Sequence, residues 1–298
     1  MPYELENKLV RRSIIMGKKS NHVMQTIVDH NYPVVDRAEG MYIYDTEGNK
    51  YLDVAAGVSV SNIGHGNKKV LAAMEEQMNK VTFVYAGHFT NDKRKELANK
   101  IIEIAPEGMD KVFFCSGGSE AIESVIKISR QYHLEKGNDS KYKIISRWLS
   151  YHGNTIGTLS VGGRRSWRYK YEPYLLQMPH IPQCNCYRCT YGLSYPGCGL
   201  PCAAELERVI SYEGPETVAA FLIEPIVGTT TAALMPPKEY IKEVRRISCR
   251  WINCSNTDCK WARLTRPSSI TAPGELSLIS LSFRWFSRYI LFWADDRG

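Results

Sequence analysis

Residues 113–129 read FFCSGGSEAIESVIKIS, and this stretch decides the fold. The run KVFFC at 111–115 is short, aromatic and β-branched, which predicts a strand. Gly117 and Gly118 then allow a sharp turn. Ser119 is placed to cap a helix whose apolar positions are Ala121, Ile122, Val125, Ile126 and Tyr132. A strand, a glycine turn and a helix start leave free backbone N–H groups at the helix N-terminus, with the dipole behind them. Such a turn holds an anion, a phosphate in particular, without needing a cation. A tight βα turn that binds nothing is the alternative reading of the same residues.

Working outward, residues 1–30 read as a helical arm. Short strands follow at Val34-Val35, at Tyr42-Ile43-Tyr44 and from Tyr51 to Val54, with Glu47-Gly48-Asn49 as a hairpin turn. From Lys68, VLAAMEEQMNKV is an amphipathic helix, and residues 92–104 are another. Beyond Pro106 and Gly108 the pattern becomes strand-then-helix. It runs as strand 111–115, helix 120–135, strand 142–148, a helix near 202–212, strand 218–224 and a helix from Lys238 to at least Ile247. This alternation predicts an α/β fold, a mostly parallel sheet with helices on both faces. There are no internal repeats and no low-complexity segments.

Bulk properties narrow the function classes. The net charge is +7, but residues 248–298 hold seven basic and four acidic residues, or +3 of it. The remaining +4 over 247 residues gives no argument for a nucleic-acid partner. No apolar run approaches the ~20 residues of a membrane span. The N-terminal MPYELENKLVRRSIIMGKK has acidic residues and no apolar h-region, so a cytoplasmic setting without a membrane partner is expected. Cys184, Cys186, Cys189, Cys198 and Cys202 form C-x-C-x2-C-x8-C-x3-C in a Pro/Gly/Tyr-rich loop. That is enough thiolate for a tetrahedral zinc but lacks paired C-x2-C knuckles, so free thiols packing a loop are expected and no metal is assigned.

Four motifs in order resemble those of class III aminotransferases, pyridoxal phosphate (PLP) enzymes of fold type I. SGGSEAIES at 116–124 is similar to the family's cofactor-phosphate turn. Residues 39–77, EGMYIYDTEGNKYLDVAAGVSVSNIGHGNKKVLAAMEEQ, resemble its N-terminal signature. SYHGNTIGTLSVGG at 150–163 and FLIEPIVGTT at 221–230 resemble its Y-H-G and E-P-x-x-G segments. The resemblance covers about residues 30–247. It departs at Ser116-Gly117, where the family has Asn-Ser, and at Ile122, where it has Asn; a phosphate held mainly by backbone N–H groups tolerates both.

The resemblance implies PLP as cofactor, an amino donor and a keto acid or aldehyde acceptor as substrates, and a homodimer. It assigns the phosphate to Gly118 and Ser119 and ring stacking to Tyr151, followed by His152 and Gly153. Glu224 lies near the cofactor, and Gly57 and Val58 resemble the substrate-pocket segment. On this reading, residues 1–60 are an N-terminal arm and small-domain segment, and 61–247 an incomplete PLP-binding large domain.

Past Ile247 the resemblance ends. The family continues into a strand ending in an Asp that pairs with the pyridine nitrogen, then reaches the lysine that holds the cofactor covalently. Residues 248–298 have no such Asp-Glu pair, and their one lysine is Lys260, in DCKWARL. They hold four of the six Trp, three of the nine Cys and six Arg against that single Lys. An abrupt change of usage inside a helix suggests a shifted reading frame or a misassigned exon, with a genuine divergent tail as the alternative. No catalytic residue is therefore assigned, and the chain is expected to be inactive. A non-catalytic fragment binding PLP or a partner, and a zinc-loop interaction module, are the alternatives.

Overall fold

The structure, a computed structural model, describes residues 22–25, 27, 30–105, 109–253 and 290–293. It divides into two units, residues 1–80 and 81–298. Most of the expected N-terminal helical arm lies outside the described residues, as does the tail at 254–289 and 294–298.

In the first unit β1 (Val35–Glu39), β2 (Tyr42–Asp45) and β3 (Lys50–Leu52) form an antiparallel meander. The turn between β2 and β3 is fixed by one carboxylate. Asp45 Oδ1 accepts from the N–H groups of Glu47 (3.0 Å) and Asn49 (2.8 Å), and Oδ2 accepts from Asn49 Nδ2 (2.9 Å) and the Tyr51 hydroxyl (2.7 Å). Asp is favoured in turns because its side chain bonds the backbone that follows it. Residues Ala56–Ser59, which include Gly57 and Val58, form one left-handed turn with φ between +47° and +66°. L-residues enter that region only at a cost, so the turn is a strained point of the unit. The amphipathic helix α1 (Lys68–Lys80) buries none of its residues and leaves Leu71, Met74 and Met78 exposed.

The second unit carries α2 (Asp92–Ile104), β4 (Lys111–Phe114), α3 (Gly118–Glu135), β5 (Lys143–Arg147), α4 (Ile156–Val161), β6 (His180–Ile181), α5 (Pro201–Glu213), β7 (Val218–Phe221) and α6 (Lys238–Ser248). A three-stranded sheet in the order β6-β5-β7 is parallel throughout. The strand-then-helix pattern anticipated this, because parallel neighbours require crossover connections. The central strand β5 is buried over most of its length. Its Ile145 packs with Ile181, Leu206, Ile210, Tyr240, Val244 and Ile247 from α5, α6 and β6. Its Ile144 faces Ile122 and Val125 of α3 and Val161.

Three local expectations change. The helix after the glycine turn begins at Gly118 with Gly117 as its N-cap, so Ser119 is its second residue and not the cap. Its hydroxyl is engaged elsewhere, and Glu120 instead reaches back to accept from the Ser116 N–H (2.8 Å). The strand read as 218–224 ends at Phe221, its last pairing being with Ile145, and Glu224 lies three residues further on. Pro225, with no N–H to donate, follows it. Finally, at Ile247/Ser248, where the resemblance ends inside a helix, α6 continues through Ser248 and passes into a π-helical turn at Cys249–Asn253. Beyond it, β8 (Ile290–Trp293) pairs antiparallel with β4, a strand that no periodicity in the tail announced.

Candidate functional site

The α3 N-terminus, the loop after β5 and the loop after β7 converge. Gly118, Ser119 and Glu120 are the first residues of an 18-residue helix, so their N–H groups have no intrahelical acceptor. A Cβ built at Gly117 would meet nothing within 4 Å, which leaves the approach to those groups open. Ser119 Oγ donates to Asn154 Oδ1 (3.0 Å) and accepts from the Asn154 N–H (3.1 Å), tying the glycine turn to the loop after β5. Gly153 lies between them at φ +137°. A Cβ there would stand 2.6 Å from both Ser119 Oγ and Thr158 Oγ1, so only glycine allows this contact. A second tie runs from Thr155 Oγ1 to Glu123 Oε1 (2.5 Å).

Tyr151 continues the same loop. Its ring meets Trp167 edge-on (5.1 Å, 81°), and Arg164 lies over Trp167 at 4.1 Å. The Tyr151 N–H donates to Glu224 Oε2 (3.2 Å), which joins the β5 loop to the β7 loop. Burial pushes the Glu224 carboxyl up to about 7, against the opposing pull of the Tyr151 and Gly228 N–H groups and the Arg147 charge. His152 points elsewhere: its ring is buried beside Arg147 and His180, its Nε2 has no partner, and burial lowers its pKa to about 3. Of the six sequence-derived site residues, Gly118, Ser119, Tyr151, Gly153 and Glu224 are thus brought together by side-chain or backbone contacts. His152 shares their loop but its imidazole lies in the core.

Two participants were not singled out from sequence. Asn154 fixes the Ser119 hydroxyl, and its place directly after Tyr-His-Gly was the available signal. Arg147 ends β5, is fully buried and donates through Nη2 to the Glu224 carbonyl (2.5 Å). A lone Arg after an apolar run gave no warning of that. Among the described residues no set of three His, Cys, Asp or Glu side chains is grouped to hold a metal.

The raised Glu224 pKa has a measurable consequence. Between pH 4.5 and about 7 the folded chain keeps a proton that the unfolded chain releases, so stability from this group is lost as pH rises through that window. Glu224→Gln, which cannot ionise, is expected to match the parent near pH 4 and to exceed it by about 2–3 kcal/mol near pH 8. Urea denaturation across that range checks it; a pH-independent difference would mean that Glu224 is ionised without penalty.

The family described as "Aminotransferase class-III" matches residues 23–254, seven residues past Ile247. The uncharacterised aminotransferase YodT of Bacillus subtilis is 36% identical over 231 residues, covering 78% of this chain and 52% of YodT. Putrescine–pyruvate aminotransferase of Pseudomonas aeruginosa is 36% identical over 219 residues, covering 73% of this chain and 48% of that enzyme. The omega transaminase of Pseudomonas jessenii, solved in complex with PMP, superposes with a TM-score of 0.70 at 32% identity, over 76% of this chain and 52% of that one. The chain thus spans about half the length of the relatives it matches. Over residues 23–254 this chain belongs to the class III aminotransferase family, whose fold is the PLP-dependent fold type I.

Proposed function

We propose that this chain carries the phosphate- and ring-binding portion of a PLP-dependent transaminase that moves an amino group from a small-molecule amine to a keto acid or aldehyde. The observation that carries this reading is the double hydrogen bond between Ser119 and Asn154, with Gly153 packed against both. It sets an open helix N-terminus beside the Tyr151 segment. When bound, PLP supplies the electron sink, and the protein's part is to hold and orient it. The N–H groups of Gly118 and Ser119 receive the phosphate. Tyr151, fixed by its N–H on Glu224 and its edge contact with Trp167, offers a ring face. Glu224 holds a proton on its carboxyl near neutral pH.

The same proposal divides the chain into an arm and small-domain segment at 1–60, an incomplete large domain at 61–247 and a non-matching tail. It includes a homodimer, which the exposed apolar side chains of α1 would favour. A cytoplasmic setting belongs to it as well. Among the described residues no helix is long and apolar enough to cross a membrane.

Pyridoxamine phosphate tests the site without reacting with surface lysines. The parent chain is expected to bind it in competition with inorganic phosphate. Gly153→Ala, which displaces Ser119, should weaken binding ~10-fold or more. Ser119→Ala, which removes the link to Asn154 with less disturbance, should weaken it to a smaller degree. Calorimetric titration reads both, and equal affinity in all three proteins, or none in the parent, rejects the assignment.

A further inference from the structure

We infer that Arg168 is a positioning residue of the PLP-binding site proposed above, on which this role depends. It clamps the C-terminal end of α4 to the turn that carries Trp167, and so sets the ring of Tyr151.

Arg168 closes the single helical turn Arg165–Arg168 and is buried. An arginine is rarely buried unless its donors are taken. Here backbone takes them: Arg168 Nη1 donates toward the carbonyls of Leu159 (3.0 Å), Ser160 (2.7 Å) and Gly162 (2.6 Å). Leu159 and Ser160 lie in the last turn of α4, and Gly162 is its C-cap. Carbonyls at a helix end lack their usual N–H partners, and a cation there also meets the negative end of the dipole. The Gly163 N–H, which would continue the helix, is spent on the Ser150 carbonyl, while the Ser146 hydroxyl serves Val161 (2.6 Å). Arg168 Nε also reaches Glu172 Oε1 (3.2 Å). The Arg168 side chain is 7% exposed and that of Glu172 48%, so the buried carbonyls hold the guanidinium more firmly than this wet ion pair does.

The clamp acts on Tyr151 through one residue. Trp167 precedes Arg168 in the same turn, and its ring meets the Tyr151 ring edge-on at 5.1 Å. The Tyr151 N–H bond to Glu224 fixes that residue's backbone but leaves its ring free to turn about the side-chain bonds. The contact with Trp167 fixes the ring. At the other end of α4, Thr155 Oγ1 donates to Glu123 Oε1 (2.5 Å) and Asn154 bonds Ser119. Neither contact passes through Arg168. Loosening Arg168 therefore frees Trp167 and the Tyr151 ring while the α3 N-terminus keeps its partners.

Titration calorimetry on the full chain, with pyridoxamine phosphate and with inorganic phosphate, separates the two ends of the site. Arg168→Met is expected to weaken pyridoxamine phosphate ~5-fold or more and inorganic phosphate less than about twofold. Trp167→Leu, which leaves the α4 carbonyls their donor, should show the same split. Arg168→Lys should restore the parent affinities, because an ammonium offers three N–H donors to the three carbonyls. A general loss of folded protein would weaken both ligands alike. Equal losses for both ligands in Arg168→Met and Trp167→Leu, or no loss of pyridoxamine phosphate in either, overturn the inference. If Arg168→Met does not fold, the other two decide: Trp167→Leu must show the split and Arg168→Lys must not. A parent that binds neither ligand rejects the proposed site and this role with it, whereas a parent that binds both, with variants that keep its ratio, rejects the role alone.

Discussion

Amino-group transfer by this chain, supplied with PLP, is expected to run at least ~10³-fold below that of a full-length relative such as putrescine–pyruvate aminotransferase. The two share residues over about half of that enzyme's length. On the proposed reading this chain carries the holding machinery: the α3 N-terminus, the Tyr151 segment and Glu224. The proton carrier is a separate requirement. The family resemblance places a covalent lysine and a pyridine-pairing Asp beyond Ile247, and residues 248–298 contain only Lys260, in a segment with no matching motif. Lys260 lies outside the described residues. Glu224, held near pH 7 by burial, can keep a proton at the Tyr151 loop, but a single carboxyl does not replace a tethered amine that both holds the cofactor and carries the proton. A coupled assay with several amines and pyruvate measures this. Turnover within tenfold of the relative, abolished by Lys260→Ala, would show that the tail supplies the missing function.

Gly163→Ala is expected to cost about 3–5 kcal/mol, enough to unfold much of the second unit. The residue follows α4, where the chain turns back onto the end of β5. A Cβ there would stand 2.1 Å from the Arg147 carbonyl oxygen, 2.6 Å from Trp148 Cα and 2.8 Å from the Leu149 nitrogen. All three are backbone atoms and cannot rotate away. Two hydrogen bonds clamp the same contact, from the Leu149 N–H to the Gly163 carbonyl (2.9 Å) and from the Gly163 N–H to the Ser150 carbonyl (3.1 Å). Because Tyr151 follows directly, the substitution should also abolish binding of pyridoxamine phosphate. Gly162→Ala provides the contrast: its Cβ would approach no atom closer than 3.3 Å, and about 1 kcal/mol or less is expected. Urea midpoints of the two variants check the pair, and similar losses would mean that the close approach at Gly163 relaxes freely.

The sequence alone determined the layout of the second unit and the family. Strand, glycine turn and helix at 111–135 are set by local rules: β-branched and aromatic residues, two adjacent glycines, then apolar residues at helical spacing. The parallel sheet followed from the alternation of such pieces, and the four motifs located Gly118, Ser119, Tyr151, Gly153 and Glu224. What the sequence could not determine was how distant loops complete one another. Ser119 looked like a helix cap, yet its hydroxyl is spent on Asn154, 35 residues away. Glu224 looked like a strand end, yet it sits past the strand and holds the Tyr151 N–H. His152 adjoins Tyr151, yet its imidazole is buried beside Arg147 and His180. Arg147 and the Glu224 carbonyl meet only because the end of β5 and the chain after β7 close on one another. Such contacts rest on desolvation and on the pairing of groups far apart in the chain, quantities that no local window of residues contains.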